Sequence, residues 1–148
     1  MAKGTHEFKE DGRNQNILIY VNGELYPRDE AKVSVFDSGF VLGDGVWEGL
    51  RVHNGKVAFI DAHLERLYEG AKALDMDIGL TPQRMCDAIY ATLARNEMTE
   101  GVHIRLMVTR GKKATPYQDP RVTVGSATIV IIPEFKLPNP DIASRAMR

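Results

Sequence analysis

The chain has 148 residues, of which 43% are hydrophobic and 26% are charged, values that are ordinary for one globular domain with a core. Its formal net charge of −1 gives no reason to expect binding to nucleic acid or to an anionic membrane surface. A single cysteine excludes an internal disulfide, and no apolar run is long enough to span a bilayer. Because the N-terminus also lacks an apolar signal core, the sequence predicts a cytoplasmic protein.

The sequence divides into three parts. Residues 1–15 are polar and predict a flexible N-terminal arm, whereas residues 16–135 alternate between apolar runs and turn signals, as in a folded domain. Residues 136–148 begin with two prolines around Asn139, which is typical of a linker that leads into a further domain.

Two β-hairpins are predicted in the first part of the domain. Asn22-Gly23 lies between two short apolar runs, and this dipeptide favours a tight turn between paired strands. A strand is predicted from about Gly45 to His53. Asn54-Gly55 then predicts a second turn, into an apolar run over residues 56–60.

Two helices follow the hairpins. The first is predicted over residues 61–74, with Asp61 as its N-terminal cap and apolar side chains at i, i+3, i+4 and i+7. The second is predicted over residues 82–97, with Thr81 as its cap and Pro82 at the first helical position.

The last part of the domain returns to strands. The stretch "GVHIRLMVTRG" alternates, a polar loop follows from Gly111, and "SATIVIIPEF" is typical of a buried strand. Hairpins that are separate from two helices predict an α+β fold, in which an antiparallel sheet carries both helices on one face. The alternation places four apolar residues on the buried face of the first of these strands: Val102, Ile104, Leu106 and Val108.

Two strands of the predicted sheet carry unusual residues on their other face. Alternation places Trp47, Gly49 and Arg51 on one face of the strand over residues 45–53, and His103 and Arg105 share a face of the later strand. An antiparallel sheet can expose such a face to water, so a solvated surface is one explanation. Glycine in a strand often marks close approach of a ligand or another backbone, and this favours a binding site.

Arg66 is predicted to point away from the apolar stripe of the first helix. An arginine there is usually solvated, but a guanidinium can also bind phosphate or carboxylate through two hydrogen bonds. The sequence does not favour a metalloprotease, a serine hydrolase or a nucleotide-binding site, since it contains no HExxH, no GxSxG and no Walker loop.

A longer stretch, "DSGFVLGDGVWEGLRVHNGKVAFIDAHLERLYEGAKAL", resembles the N-terminal domain of the fold-type IV pyridoxal-phosphate enzymes. "GDGVWEGLRV" is similar to the strand of that family with an aromatic residue, Glu and Gly, "HLERL" to its His-x-x-Arg-Leu helix, and "HIRLMVTRG" to a strand beside the substrate. The resemblance covers roughly residues 16 to 140. It implies that Arg66, in "HLERL", binds the phosphate of pyridoxal 5'-phosphate.

The resemblance also implies substrate-binding roles. Trp47 would line the substrate pocket, Gly49 would leave room for the substrate, and Arg51 would lie near the pocket entrance. Arg105 and His103 correspond to an Arg and a Tyr near the substrate carboxylate in branched-chain enzymes. The histidine departs from that pattern.

The resemblance further implies that the catalytic machinery is incomplete in this chain. The lysine that bonds covalently to the cofactor lies in the larger C-terminal domain of the family, so it is expected beyond Arg148. No catalytic residue is therefore assigned within the chain, which is expected to be the N-terminal part of a larger enzyme. The expected partners are that large domain and a second copy in a homodimer.

Several activities remain open at this point. "VWEGLR" favours transamination of a branched-chain amino acid with a 2-oxo acid. A D-amino-acid transaminase, an (R)-amine transaminase and an aminodeoxychorismate lyase are alternatives within the family. A small α+β module for binding or oligomerisation, without catalysis, is the alternative outside it.

Overall fold

A computed structural model describes residues 9–137, and it confirms the α+β fold class. Six strands form one antiparallel sheet in the order β2-β1-β8-β5-β3-β4, and β6 pairs separately with β7. The elements in chain order are β1 (Leu18–Val21), β2 (Glu24–Pro27), α1 (Ser38–Leu42), β3 (Gly45–His53), β4 (Lys56–Val57), α2 (Ile60–Ala73), α3 (Pro82–Arg95), β5 (Val102–Thr109), β6 (Lys112–Lys113), β7 (Thr123–Val124) and β8 (Thr128–Phe135).

Both predicted hairpin turns are present, and each uses left-handed backbone at two successive residues. The φ angles are 50° at Asn22 and 97° at Gly23, and 51° at Asn54 and 73° at Gly55. Positive φ at both central residues is the geometry that matches the twist of paired strands, and Asn-Gly adopts it readily. The strand after the second turn is shorter than predicted, because Phe59 turns left-handed, with φ 54°, and the chain enters α2.

The two long helices agree with the prediction except for one cap. Asp61 lies inside the first turn of α2, which follows Phe59 without a capping side chain, so the prediction that Asp61 caps this helix is wrong. In the first turn its carboxylate is still favourable, because it faces the positive end of the helix dipole. The α3 cap is confirmed, since Oγ1 of Thr81 accepts a hydrogen bond from the Arg84 amide at 3.2 Å.

The core lies between the sheet and the two long helices, on what we call the covered face. Leu50 of β3 and Leu106 of β5 are buried there, together with Leu67 of α2 and Ile89 of α3. The opposite side, which we call the open face, carries the other half of each alternating strand. The predicted alternation of β5 is confirmed, and its four covered-face residues are all fully buried: Val102, Ile104, Leu106 and Val108.

The structure differs from the sequence prediction at two short segments. Gly12–Asn16, which overlaps the end of the predicted arm of residues 1–15, forms a 3-10 helix, and the Asn14 side chain exchanges hydrogen bonds of 2.9 and 2.7 Å with the Phe135 backbone. Helix α1 was not predicted, although Asp37 caps it by accepting from the Gly39 amide. The rest of the predicted arm and nearly all of the predicted linker lie outside the described residues. Within residues 9–137, no helix combines the length and the apolar character needed to cross a membrane.

Candidate functional site

The open face of β3 and β5 brings together the five residues that the sequence predicts to bind substrate. The two strands pair antiparallel, with Gly49 opposite Arg105 and Arg51 opposite His103. Trp47 lies one pleat further along β3 on the same face. The grouping follows from alternation on two neighbouring strands, which is why separate sequence segments could predict it.

Trp47 and Arg105 form a stacked pair at the centre of this group. The guanidinium carbon of Arg105 lies 4.1 Å from the centroid of the Trp47 ring, which is a cation–π geometry. Trp47 is 59% exposed, a large value for a tryptophan on a strand. Stacking holds the guanidinium plane but leaves its N–H groups available to an anion.

Gly49 makes room for a side chain from the neighbouring strand. A Cβ atom added at Gly49 would lie 3.2 Å from Nε2 of His103, so the imidazole occupies the space over this glycine. The sequence suggested that this space serves the substrate. In the structure the half-buried His103 ring fills the space over Gly49.

Positive charge surrounds His103. Burial lowers its pKa, and the nearby charges of Arg51, Lys136 and Arg105 lower it further, while Glu134 opposes them. The imidazole is therefore neutral at neutral pH and has one N–H to donate and one nitrogen to accept. Arg51 is anchored here, because its Nη1 donates to the Lys136 carbonyl oxygen. This end of the open face therefore favours an anionic ligand.

An apolar groove continues the open face beyond the cationic group. It has a volume of about 290 Å³ and passes between the sheet and the segment that contains Val33 and Phe40. Met107, which pairs with Trp47, connects the groove to the cationic end. The sheet residues that line it are largely apolar: Ile19, Val21, Met107, Thr109, Thr128, Val130 and Ile132. The open face therefore offers one apolar part and one cationic part to a ligand.

Arg66 is placed differently from the other five residues. It lies on α2, on the covered side of β3, and donates from Nε and Nη2 to the two carboxylate oxygens of Glu48, each at 2.6 Å. Arg66 points away from the buried residues Leu64, Leu67 and Ala71 of α2, as predicted, while its guanidinium reaches Glu48 of β3 through this ion pair. The Arg66 side chain is nevertheless 72% exposed.

Glu48 is the site residue that sequence reasoning missed. It is only 2% exposed, on the covered face of β3, and also lies 3.0 Å from Nδ1 of His63. A signal was present in the sequence, since an acid alternates there with Val46 and Leu50, which are core-facing positions. A buried carboxylate needs a partner, and the chain supplies Arg66 and His63.

The two sides of the site meet at the outer edge of β3. Strand β4 pairs only with Val52 and His53, so no strand of the described region pairs with the outer edge of β3 over residues 45–50. Trp47 on the open face and Glu48, which holds Arg66 on the covered side, are successive residues of β3 at this edge. Among residues 9–137, no group of three or more His, Cys, Asp or Glu is arranged to hold a metal ion.

Because Glu48 is paired with Arg66, the stability of the domain is expected to depend on pH. Hydrogen bonds from Arg66, and secondarily from His63, hold the pKa of Glu48 below its ordinary value of 4.5. A pKa that is lower in the folded state adds stability above the unfolded value, and this contribution is lost as the pH falls through the folded pKa.

We therefore expect the free energy of unfolding to decrease from about pH 4.5 downwards, with part of that decrease absent in Glu48→Gln. Urea denaturation of both proteins from pH 7 to pH 3 measures the difference. Parallel curves for the two proteins would show that the carboxylate is not linked to folding.

Comparison with known proteins places the chain in a family. Residues 45–147 match the model of amino-transferase class IV, so the chain belongs to this family. It is 43% identical over 125 residues to branched-chain-amino-acid aminotransferase-like protein 1 of Arabidopsis thaliana, covering 84% of this chain and 22% of that protein. It is 30% identical over 124 residues to D-alanine aminotransferase of Staphylococcus haemolyticus, covering 84% of this chain and 44% of that protein.

A solved structure supports the same assignment. A branched-chain amino acid aminotransferase from T.th., complexed with N-(5'-phosphopyridoxyl)-L-glutamate, matches with a TM-score of 0.68 and 29% identity. The match covers 78% of this chain and 40% of that one. The chain thus spans less than half the length of each of these three proteins.

Proposed function

We propose that these residues belong to a pyridoxal-phosphate-dependent aminotransferase that exchanges an amino group between a branched-chain-like amino acid and a 2-oxo acid. The observation that carries the proposal is the two-part open face, in which an apolar groove adjoins the cationic residues beside Trp47. A branched-chain amino acid has the same two parts, an apolar side chain and a carboxylate. The A. thaliana relative, named as branched-chain-like, supports this substrate class.

The residues present fit the phosphate end of the cofactor. Arg66 has a largely exposed guanidinium, and a guanidinium can bind a phosphate through two parallel hydrogen bonds. The ligand in the T.th. structure carries a phosphopyridoxyl group, which is consistent with this fit. When bound, pyridoxal phosphate supplies an electron sink for the transfer of the amino group.

The chain's own residues bind and orient the substrate in this proposal. Arg105, fixed against Trp47, binds the substrate carboxylate, and neutral His103 adds a hydrogen bond without a further charge. Arg51 borders the entrance. Trp47 excludes water from one wall of the pocket.

The remaining machinery is proposed to lie elsewhere in the protein. The lysine that bonds to the cofactor is expected beyond Arg148, in a larger domain that closes over the open face. The homodimer and the cytoplasmic location stay predictions from the sequence.

The Arg66→Ala variant tests the cofactor assignment. Loss of a charge-assisted contact to phosphate is expected to cost about 1.5–3 kcal/mol, or roughly a tenfold to hundredfold weaker affinity for pyridoxal phosphate. The measurement is a fluorescence titration of the full-length apo-protein. Arg84→Ala, which removes an exposed arginine of α3, is the matched control and is expected to bind normally. Unchanged affinity in Arg66→Ala would reject the phosphate role and favour a module without catalysis.

A second candidate is a D-amino-acid transaminase, which the S. haemolyticus relative favours by its name. The two candidates differ in the hand of the amino donor. The branched-chain proposal expects turnover of L-leucine by the full-length protein, whereas turnover of D-alanine alone would replace it with the second candidate.

A further inference from the structure

We propose that Glu48 is a positioning residue, which holds Arg66 by one edge so that the opposite edge faces the cofactor phosphate. The inference rests on the proposed function, because it assumes that Arg66 binds that phosphate. It concerns a residue that touches neither the substrate nor the cofactor and acts only through the guanidinium.

Glu48 contacts only some of the N–H groups of the Arg66 guanidinium. Arginine has five N–H groups, and Glu48 accepts from Nε and from one N–H of Nη2. Both N–H groups of Nη1 and the second one of Nη2 remain, and one N–H from each of these two nitrogens points in parallel along the far edge of the plane. Bidentate binding of a phosphate needs two parallel N–H groups on one edge of the guanidinium. The edge that Glu48 does not contact still has both of these donors.

Glu48 is well suited to hold the other edge, because its own side chain is buried. Its carboxylate is buried on the covered face of β3, a strand that pairs along its length with β5. It also lies within hydrogen-bond distance of His63, at 3.0 Å. Arg66, by contrast, is a long and largely exposed side chain on α2, which would sample many rotamers without this anchor.

The positioning effect and the charge of Glu48 act in opposite directions on phosphate affinity. A carboxylate near a phosphate repels it, so removal of the charge alone would strengthen phosphate binding. Loss of the anchor would weaken binding, because the phosphate would then have to order a free arginine side chain. The Arg66 side chain is largely exposed, and screening by solvent reduces the repulsion. We therefore expect positioning to be the larger effect.

The Glu48→Gln variant separates these two effects by the sign of the change. Glutamine keeps the shape of glutamate but has one acceptor oxygen, so it cannot accept from both Nε and Nη2 as the carboxylate does. In the full-length apo-protein we expect pyridoxal phosphate to bind about two- to tenfold more weakly, the range for releasing one long side chain. Thermal unfolding of each variant confirms that the protein titrated is folded.

Two further variants separate positioning from a general structural effect. In an Arg66→Ala background, Glu48→Gln is expected to leave the affinity unchanged or slightly tighter, since there is no guanidinium to position and only the repulsion by the carboxylate is removed. His63→Gln removes the other partner of Glu48 and is expected to change the affinity by less than about twofold, because both contacts to Arg66 remain.

Each outcome has one meaning. Equal or tighter binding by Glu48→Gln, with weaker binding by Arg66→Ala, overturns the inference and leaves the proposed function standing. Unchanged binding by Arg66→Ala overturns the phosphate role and the inference together. If Glu48→Gln does not fold, Glu48→Asp decides, because it keeps the charge but is too short to hold both nitrogens. Weaker binding by that variant supports positioning, and equal binding overturns it.

Discussion

Replacement of Gly111 by alanine is expected to destabilise the domain by about 3 kcal/mol or more. Gly111 joins β5 to β6 with φ 110°, a backbone conformation that residues with a side chain rarely adopt. A Cβ atom there would lie 2.4 Å from the Ser126 carbonyl oxygen and 3.2 Å from its carbon. Both neighbours are backbone atoms, so the clash is relieved only by a shift of the chain. Chemical denaturation measures the loss.

Gly125→Ala is the matched control for this prediction. Gly125 also has a positive φ, of 80°, but a Cβ atom there would meet nothing within 4 Å. Its replacement is expected to cost about 1 kcal/mol, through conformation alone. Equal losses in the two variants would mean that the contact with Ser126 is not tight in solution.

Gly111 matters to the site because it begins the polar loop that follows β5 and contacts α1. Its carbonyl accepts from the Ser38 amide at 2.8 Å, which ties the start of that segment to α1. Two residues later, buried Lys113 donates from its backbone to the Phe36 carbonyl and from Nζ to the Asp119 carbonyl, at 2.9 and 3.2 Å. A shift at Gly111 would therefore disturb the start of α1, where Asp37 and Phe40 line the apolar groove.

Leu106→Ala is expected to destabilise the domain by about 3–5 kcal/mol. Leu106 is 0% exposed and lies on β5, with Glu48 of β3 and Ile131 of β8 as its direct neighbours. Truncation removes buried apolar surface and leaves a cavity that strands on both sides prevent from collapsing. The measurement is the free energy of unfolding from urea denaturation at neutral pH.

Met107→Ala, one residue later, tests whether the covered face is the source of this effect. Met107 is half-buried on the open face, so its truncation is expected to cost about 1 kcal/mol or less. The same comparison separates folding from function, since Met107 lines the apolar groove and Leu106 does not. A larger loss in Met107→Ala than in Leu106→Ala would contradict the assignment of the two faces.

The features that the sequence predicted correctly depend on short-range rules. The Asn54-Gly55 turn needs only two adjacent residues, and the Thr81 cap needs only its own helix. The alternation of β5 follows from the pleat of a strand, which assigns each residue to a face before any partner is known. Grouping of Trp47 with Arg105 then needs only the two strands to be neighbours.

Two features of α2 were not predicted, for different physical reasons. The position of Asp61 in α2 follows from where Phe59 turns the chain, which a capping preference does not specify. The ion pair of Arg66 was missed because Glu48 lies 18 residues earlier and becomes its neighbour only when α2 packs on β3.

The sequence by itself determined the fold class, the two faces of each strand and the five residues of the open face, because periodicity is a local property of the backbone. Only the tertiary structure decided that His103 occupies the space over Gly49 and that Arg66 is held by Glu48. Both facts require a particular strand register and helix position. Those are decided by burial of the whole core, which no single segment encodes.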